Sequence, residues 1–154
     1  MAASFDPYAE LLTLGRALDA AGLEYALCGG LALAVYGAPR ATRDIDLLVS
    51  REQVDAVRAL AREQGYTFTA LPMTLSSGIQ LWRVTRLVGA HPLMLDLLVL
   101  PEGLTEVFDQ RVRLPVEGGS LQVVTLEGLV VLKTTSGRPQ DLVDIQRLME
   151  LERG

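Results

Sequence analysis

The pair Gly29-Gly30, followed after thirteen intervening residues by Asp44-Ile45-Asp46, is the feature that most limits what this chain can fold into. Residues 24–28 read as a short buried strand. The glycines break it and open an Ala-rich helix over residues 31–36, stopped by Gly37 and Pro39. Residues 43–49 read as a second strand. Side chains alternate along a strand, so Asp44 and Asp46 point the same way while Ile45 faces a core. Residues 93–100 form the most apolar strand, and Asp96 interrupts it between Leu95 and Leu97. A charge inside a core-like run breaks the local pattern and marks a candidate site.

The remaining segments supply covering helices and further strands. Asp6-Pro7 starts a helix, with Asp as cap and Pro in the first turn, and Gly22 ends it. Ser50 caps a helix over residues 51–64. Residues 66–70 alternate as a strand, 71–78 read as a loop, and 79–87 alternate around Trp82 and Val84. A short helix lies near residues 104–108. Strands over residues 111–116 and 121–124 flank Glu117-Gly118-Gly119-Ser120, a hairpin signal. Thr125 caps a helix running through Lys133, and residues 140–151 form a final helix. The expected fold is α/β (α+β), a mixed central sheet flanked by helices, in a single domain over residues 1–154.

Composition excludes several classes. With 49% apolar residues the chain can bury a core without staples, and its single cysteine, Cys28, rules out an internal disulfide framework. No signal-like start or long uninterrupted apolar run is present, so the expectation is a cytoplasmic protein without a membrane partner. The net charge of −5 argues against a broad basic nucleic-acid surface. Of the 14 cationic residues, Lys133 is the only lysine. A compact ammonium does what a guanidinium fork does not, which singles it out.

Two neighbouring carboxylates repel, and burying them uncompensated costs several kcal/mol. Hard divalent cations offset that cost, and oxygen ligands suit Mg²⁺. Asp96 reaches the same place only from an adjacent strand. Three carboxylates then suffice for two metals roughly 3.5–4 Å apart, the spacing used for in-line phosphoryl displacement. Gly29-Gly30 lets backbone N–H groups approach a phosphate closely at the start of a helix. An EF-hand is excluded because the required Gly and terminal Glu are missing, and a P-loop because no Gly-Lys-Ser/Thr follows the glycines.

This arrangement resembles the nucleotidyltransferase superfamily, with its polymerase-β-like fold. Its motif is Gly-Gly or Gly-Ser, about a dozen residues, Asp-x-Asp, and a third Asp on a later strand. Residues 28–46, together with Lys133 and the stretch from Arg138 to Asp144, look most like minimal bacterial members. These include the toxin half of abortive-infection (AbiE-type) toxin–antitoxin pairs. The resemblance implies that Asp44, Asp46 and Asp96 bind two Mg²⁺ ions, with Asp96 helping to deprotonate an acceptor hydroxyl. It implies nucleotide phosphate at Gly29 and Gly30, charge neutralisation by Lys133, and orientation of Lys133 or the acceptor by Asp141. Many members carry serine where this chain has Gly30. The implied partners are a nucleoside triphosphate, an acceptor that is RNA, protein or a small molecule such as an aminoglycoside, and an antitoxin. A catalytically idle binding or regulatory protein on the same fold is the alternative.

Simpler readings stand beside these. Asp141 and Asp144 fall in the first turns of a helix, where the dipole favours acids by about 0.3–1 kcal/mol each, an account sufficient for Asp144. Arg40 and Arg43 bind phosphate or pair with Asp44. Trp82 reads as core or partner interface, His91 as a turn residue, and Cys28 as a small buried side chain with no partner for nucleophilic work.

Overall fold

The computed structural model describes residues 6–38 and 42–153. Pro39 and Arg40 therefore lie outside the described residues. The chain opens with α1 (Pro7–Ala20), where the Asp6 carboxylate accepts from the Tyr8 N–H at 3.0 Å and Pro7 occupies the first turn. β1 (Ala26–Cys28) runs directly into α2 (Gly29–Val35), followed by β2 (Ile45–Leu48) and α3 (Val54–Glu63). Next come β3 (Phe68–Thr69), β4 (Met73–Thr74), β5 (Gln80–Val88) and β6 (His91–Val99). A single 3₁₀ turn leads to α4 (Thr105–Asp109), then β7 (Val112–Val116), β8 (Gly119–Val123), α5 (Leu126–Ser136) and α6 (Pro139–Arg153).

The strands form one mixed sheet in the order β3-β5-β6-β2-β1-β8-β7, with β4 also paired to β5. The β2–β6 and β1–β8 pairs are parallel; the others are antiparallel. This is the mixed helix-flanked sheet expected. Arg58 of α3 lies over the Trp82 ring on one face, 4.5 Å from its centroid. On the other face, α5 brings Leu129, Leu132 and Lys133 to a cavity shared with Asp46. Ile45, Leu47, Leu95 and Leu97 are fully buried between the central strands and the helix layer on the Trp82 face.

Several boundaries differ from the sequence reading, each for a local reason. The strand expected over 66–70 shrinks to two residues, and the expected loop 71–78 contains β4. Both are short edge pieces on the long β5. Ser50 does accept a hydrogen bond from the Gln53 N–H at 3.2 Å, but residues 51–53 form a turn and the helix begins at Val54. The β7–β8 turn is tighter than expected, because Val116 pairs with Gly119. His91 is not a turn residue: it opens β6 opposite Val88.

Candidate active site

Strand register assembles the site. Cys28 of β1 lies opposite Asp46 of β2, Asp46 lies opposite Asp96 of β6, and Asp96 lies opposite Arg83 of β5. Residues directly opposite one another share a face of the sheet. One transverse row therefore reads Cys28, Asp46, Asp96, Arg83. Asp44, two residues before Asp46, joins the row on the same side. Asp44, Asp46, Arg83 and Asp96 line a cleft of about 570 Å³, together with Leu75–Ser77 and with Thr135, Ser136 and Arg138. Beyond the C-terminal ends of β2 and β6, a hollow of about 610 Å³ lined by Ser50, Glu52 and Glu102 contains no member of this row.

The glycines are explained by what surrounds them. Gly29 has φ +71°, and a Cβ placed on it would lie 2.2 Å from Oδ2 of Asp46. Both backbone and space thus require glycine, and the sheet-to-helix turn passes directly over the Asp46 carboxylate. A Cβ on Gly30 would lie 2.9 Å from Cβ and 3.1 Å from Oγ1 of Thr42. Thr42 fills the room that a serine at this position needs.

Like charges dominate the row. Burial, then Asp96, then Asp44 push the Asp46 carboxyl up to about 7, against the opposing charges of Lys133 and Arg83. Burial and Asp96 also raise Asp44. Burial pushes the Cys28 thiol well up, so it stays protonated, and its Sγ donates to the Asp46 carbonyl at 3.5 Å. It remains a small buried group.

Arg83 holds Asp96 bidentately, Nε to Oδ1 at 2.7 Å and Nη2 to Oδ2 at 2.9 Å. That contact raises the guanidinium's pKa further. Among the described residues, no three acidic, His or Cys side chains converge as a ready-made metal cage. Both oxygens of Asp96 already face a cation.

Lys133 sits at the end of a second cavity, about 180 Å³, that shares Asp46, Ser136 and Arg138 with the first and is bounded by Gly29, Leu129 and Leu132. Its Nζ is 3.4 Å from Asp141 Oδ1 and 3.3 Å from Asp144 Oδ2, with both carboxylates buried. Asp141 also accepts from Ser136 Oγ at 2.6 Å and from Arg138 Nε at 2.9 Å. Burial works to raise the Asp141 carboxyl, but these donors and the Lys133 charge hold it down at about 2. The dipole account given for Asp144 is therefore insufficient, since its carboxylate is fully buried beside Lys133. Arg43, by contrast, is exposed and lines neither cavity.

A family model described as "Uncharacterised nucleotidyltransferase" matches residues 4–152. The chain belongs to this nucleotidyltransferase family. No curated protein sequence matches it. Solved structures share its fold at low identity. A Thermotoga maritima protein described as a nucleotidyltransferase is 15% identical over 93% of this chain and 92% of its own, with TM-score 0.63. ANT(2")-Ia, solved with adenylyl-2"-tobramycin, is 15% identical over 95% of this chain and 88% of its own, with TM-score 0.60. JHP933 from Helicobacter pylori is 18% identical over 96% of this chain and 68% of its own, with TM-score 0.54. None of the described helices of this nucleotidyltransferase is long and apolar enough to cross a membrane.

Of the residues singled out from the sequence, the structure brings Asp44, Asp46 and Asp96 to one cleft, with Gly29 against Asp46 and Lys133 against Asp141. Arg43, next to Asp44 in the chain, is exposed and is not among the residues lining either cavity. Sequence reasoning missed Arg83, Thr42 and the Asp144 contact. The three-residue spacing of Asp141 and Asp144 on one helix face, beside the only lysine, was a usable signal for the last. Arg83 had none short of the strand register.

Proposed function

We propose that this nucleotidyltransferase transfers a nucleoside monophosphate from a nucleoside triphosphate to an acceptor hydroxyl, with Mg²⁺, and that the Asp46–Asp96 row is its centre. The observation that carries this reading is the register that sets Asp46 directly beside Asp96, with Asp44 adjoining. Burial, with the charges of Asp96 and Asp44 added to it, lifts the Asp46 carboxyl to about 7, and three carboxylates in one cleft form an oxygen donor set in need of positive charge. By its chemistry that set suits Mg²⁺, with two ions as the proposed complement, and Asp96 joins it only when Arg83 gives up its oxygens. When bound, the metal supplies neutralisation of charge on the reacting phosphate oxygens.

The chain's own groups do the rest. Asp44, Asp46 and Asp96 would hold the metal. Gly29, lacking a side chain, lets the turn lie against Asp46, so that backbone N–H groups there can meet the phosphates, with Gly30 opening the helix behind it. The acceptor oxygen bonds to the α-phosphorus, the bond to the bridging oxygen breaks, and pyrophosphate leaves. Asp96 helps take the acceptor's proton. Lys133, oriented by Asp141 and Asp144, supplies a fixed positive charge towards the phosphates. Most of the rate enhancement comes from positioning and charge complementarity.

The acceptor separates two readings. Resemblance of residues 28–46 and 133–144 to the toxin family favours RNA or protein, with an antitoxin as partner. An acidic cleft in a chain of net charge −5 favours a small cationic acceptor, the chemistry suggested by the fold neighbour solved with adenylylated tobramycin. Incubation with labelled triphosphates, Mg²⁺ and total tRNA, cell lysate or aminoglycosides identifies which fraction takes the label. Asp44→Asn and Asp46→Asn are expected to abolish both labelling and Mg²⁺-dependent nucleotide binding while the fold persists. Unchanged nucleotide affinity in those variants refutes the mechanism.

A further inference from the structure

The third carboxylate of the row is not idle. Arg83 grips both Asp96 oxygens through a planar fork, the geometry in which Arg pairs with carboxylate most strongly. Asp96 is nearly buried, with 9% of its side chain exposed, whereas 40% of the Arg83 side chain is open. The guanidinium N–H groups not used on Asp96 belong to a side chain that lines the cleft. Arg83 thus stands with one edge on a carboxylate and the rest of its charge at the place where polyphosphate is proposed to bind.

We propose that Arg83 competes with the divalent cation for Asp96 and, once displaced, becomes a ligand of the triphosphate. The inference rests on the transferase reading given above. A cation approaching Asp96 has to share or replace the guanidinium. A freed guanidinium lining the cleft then pairs with an anion that enters it, because charge-assisted bonds to phosphate are strong and Arg is suited to make them. Polyphosphate supplies that anion. Metal and triphosphate therefore each bind weakly alone and strengthen one another, and the strengthening is reciprocal by linkage. Neither a bare metal nor a bare polyphosphate holds the site for long. Loss of Arg83 acts with opposite signs on the two ligands: the metal gains and the polyphosphate loses.

The test titrates Mn²⁺ into the full chain, reading free ion by electron paramagnetic resonance, with and without inorganic tripolyphosphate, and subtracts the Mn²⁺ that tripolyphosphate holds in a matched protein-free titration. This probe needs no knowledge of the base. Arg83→Gln is expected to bind Mn²⁺ alone about tenfold tighter than the wild type, a size typical of coupling between sites. In the wild type tripolyphosphate should tighten Mn²⁺ by about tenfold or more, and in Arg83→Gln by much less. Arg83→Lys keeps the charge without the fork and should lie between them. It carries the test if the glutamine variant does not fold. Mn²⁺ affinity in both variants equal to or weaker than wild type overturns the proposal and leaves Arg83 as a brace for Asp96. Absence of Mn²⁺ binding by the wild type, with or without tripolyphosphate, overturns the transferase reading itself.

Discussion

Gly22 and Gly29 offer a controlled pair. Their φ angles are +70° and +71°, but a Cβ at Gly22 meets nothing within 4 Å while one at Gly29 meets Oδ2, Cγ and Cβ of Asp46 at 2.2, 2.9 and 3.0 Å. Alanine in the left-handed region costs about 1–2 kcal/mol, partly offset by a stiffer unfolded chain, so Gly22→Ala should destabilise by about 1 kcal/mol. Gly29→Ala carries the same backbone cost plus overlap that reaches past the Asp46 oxygen to its Cγ and Cβ, which a turn of the carboxylate alone does not relieve. Asp46 stands on β2 between fully buried Ile45 and Leu47, so its Cβ is fixed by the strand even where the carboxylate can rotate. Overpacking typically adds about 1–3 kcal/mol, bringing the total to about 2–4 kcal/mol. Urea denaturation reads both values, provided the m-value stays constant. Nucleotide binding with Mg²⁺ separates them further: Gly22→Ala keeps it and Gly29→Ala loses it. Equal destabilisation of the two variants, with nucleotide affinity intact in both, would refute the claim that Gly29 is set by Asp46.

Three further outcomes follow from the charges. The folded Asp46 carboxyl titrates at about 7, above its unfolded value near 4, so the folded state binds protons more tightly and loses stability as pH rises from about 4 to 7. Asp46→Asn should lack that slope and, without metal, be more stable than wild type at pH 8 by up to about 4 kcal/mol; parallel stability curves for the two proteins would contradict it. Mg²⁺ should raise the melting temperature of wild type at pH 8 but not that of Asp46→Asn, as differential scanning fluorimetry would show. Asp141 has the opposite sign: held at about 2, it contributes about 2 kcal/mol above pH 4 that is lost as pH falls towards 2. Asp141→Asn should lose about 3–5 kcal/mol at pH 7 in chemical denaturation, because Lys133 keeps only one of its two buried partners, and the gap should narrow at pH 3.

Much of the fold was legible because its punctuation is local. Asp6-Pro7, Gly22 and Thr125 act within a turn of where they stand, and α1 begins and ends, and α5 begins, accordingly. The acidic pair was legible because strand parity is local too. What the sequence withheld was lateral: parity says that Asp96 and Arg83 each occupy a face, but only the Val88–His91 hairpin closure sets them opposite one another. Reading His91 as a turn residue shortened β6 and hid that pairing. Asp144 was hidden differently, since an acid in a first helical turn already has a sufficient local explanation and its contact with Lys133 comes from the packing of α6 against α5. Of the two-residue edge strands, β3 keeps only part of an alternating run and β4 has no pattern of its own; both exist because β5 offers unpaired backbone.

The bidentate Arg83–Asp96 contact also bears on the order in which the chain assembles. β5 and β6 adjoin in sequence, and a hairpin of this kind closes in microseconds, early and with opposite charges facing. β2 must come from far along the chain to dock in parallel against β6, the slow, non-local step. Had Asp96 been bare, Asp46 would arrive against an uncompensated like charge at the centre of the sheet. With Arg83 already in place, the incoming strand meets a neutralised pair, and the most frustrated junction of the native state is eased before it forms.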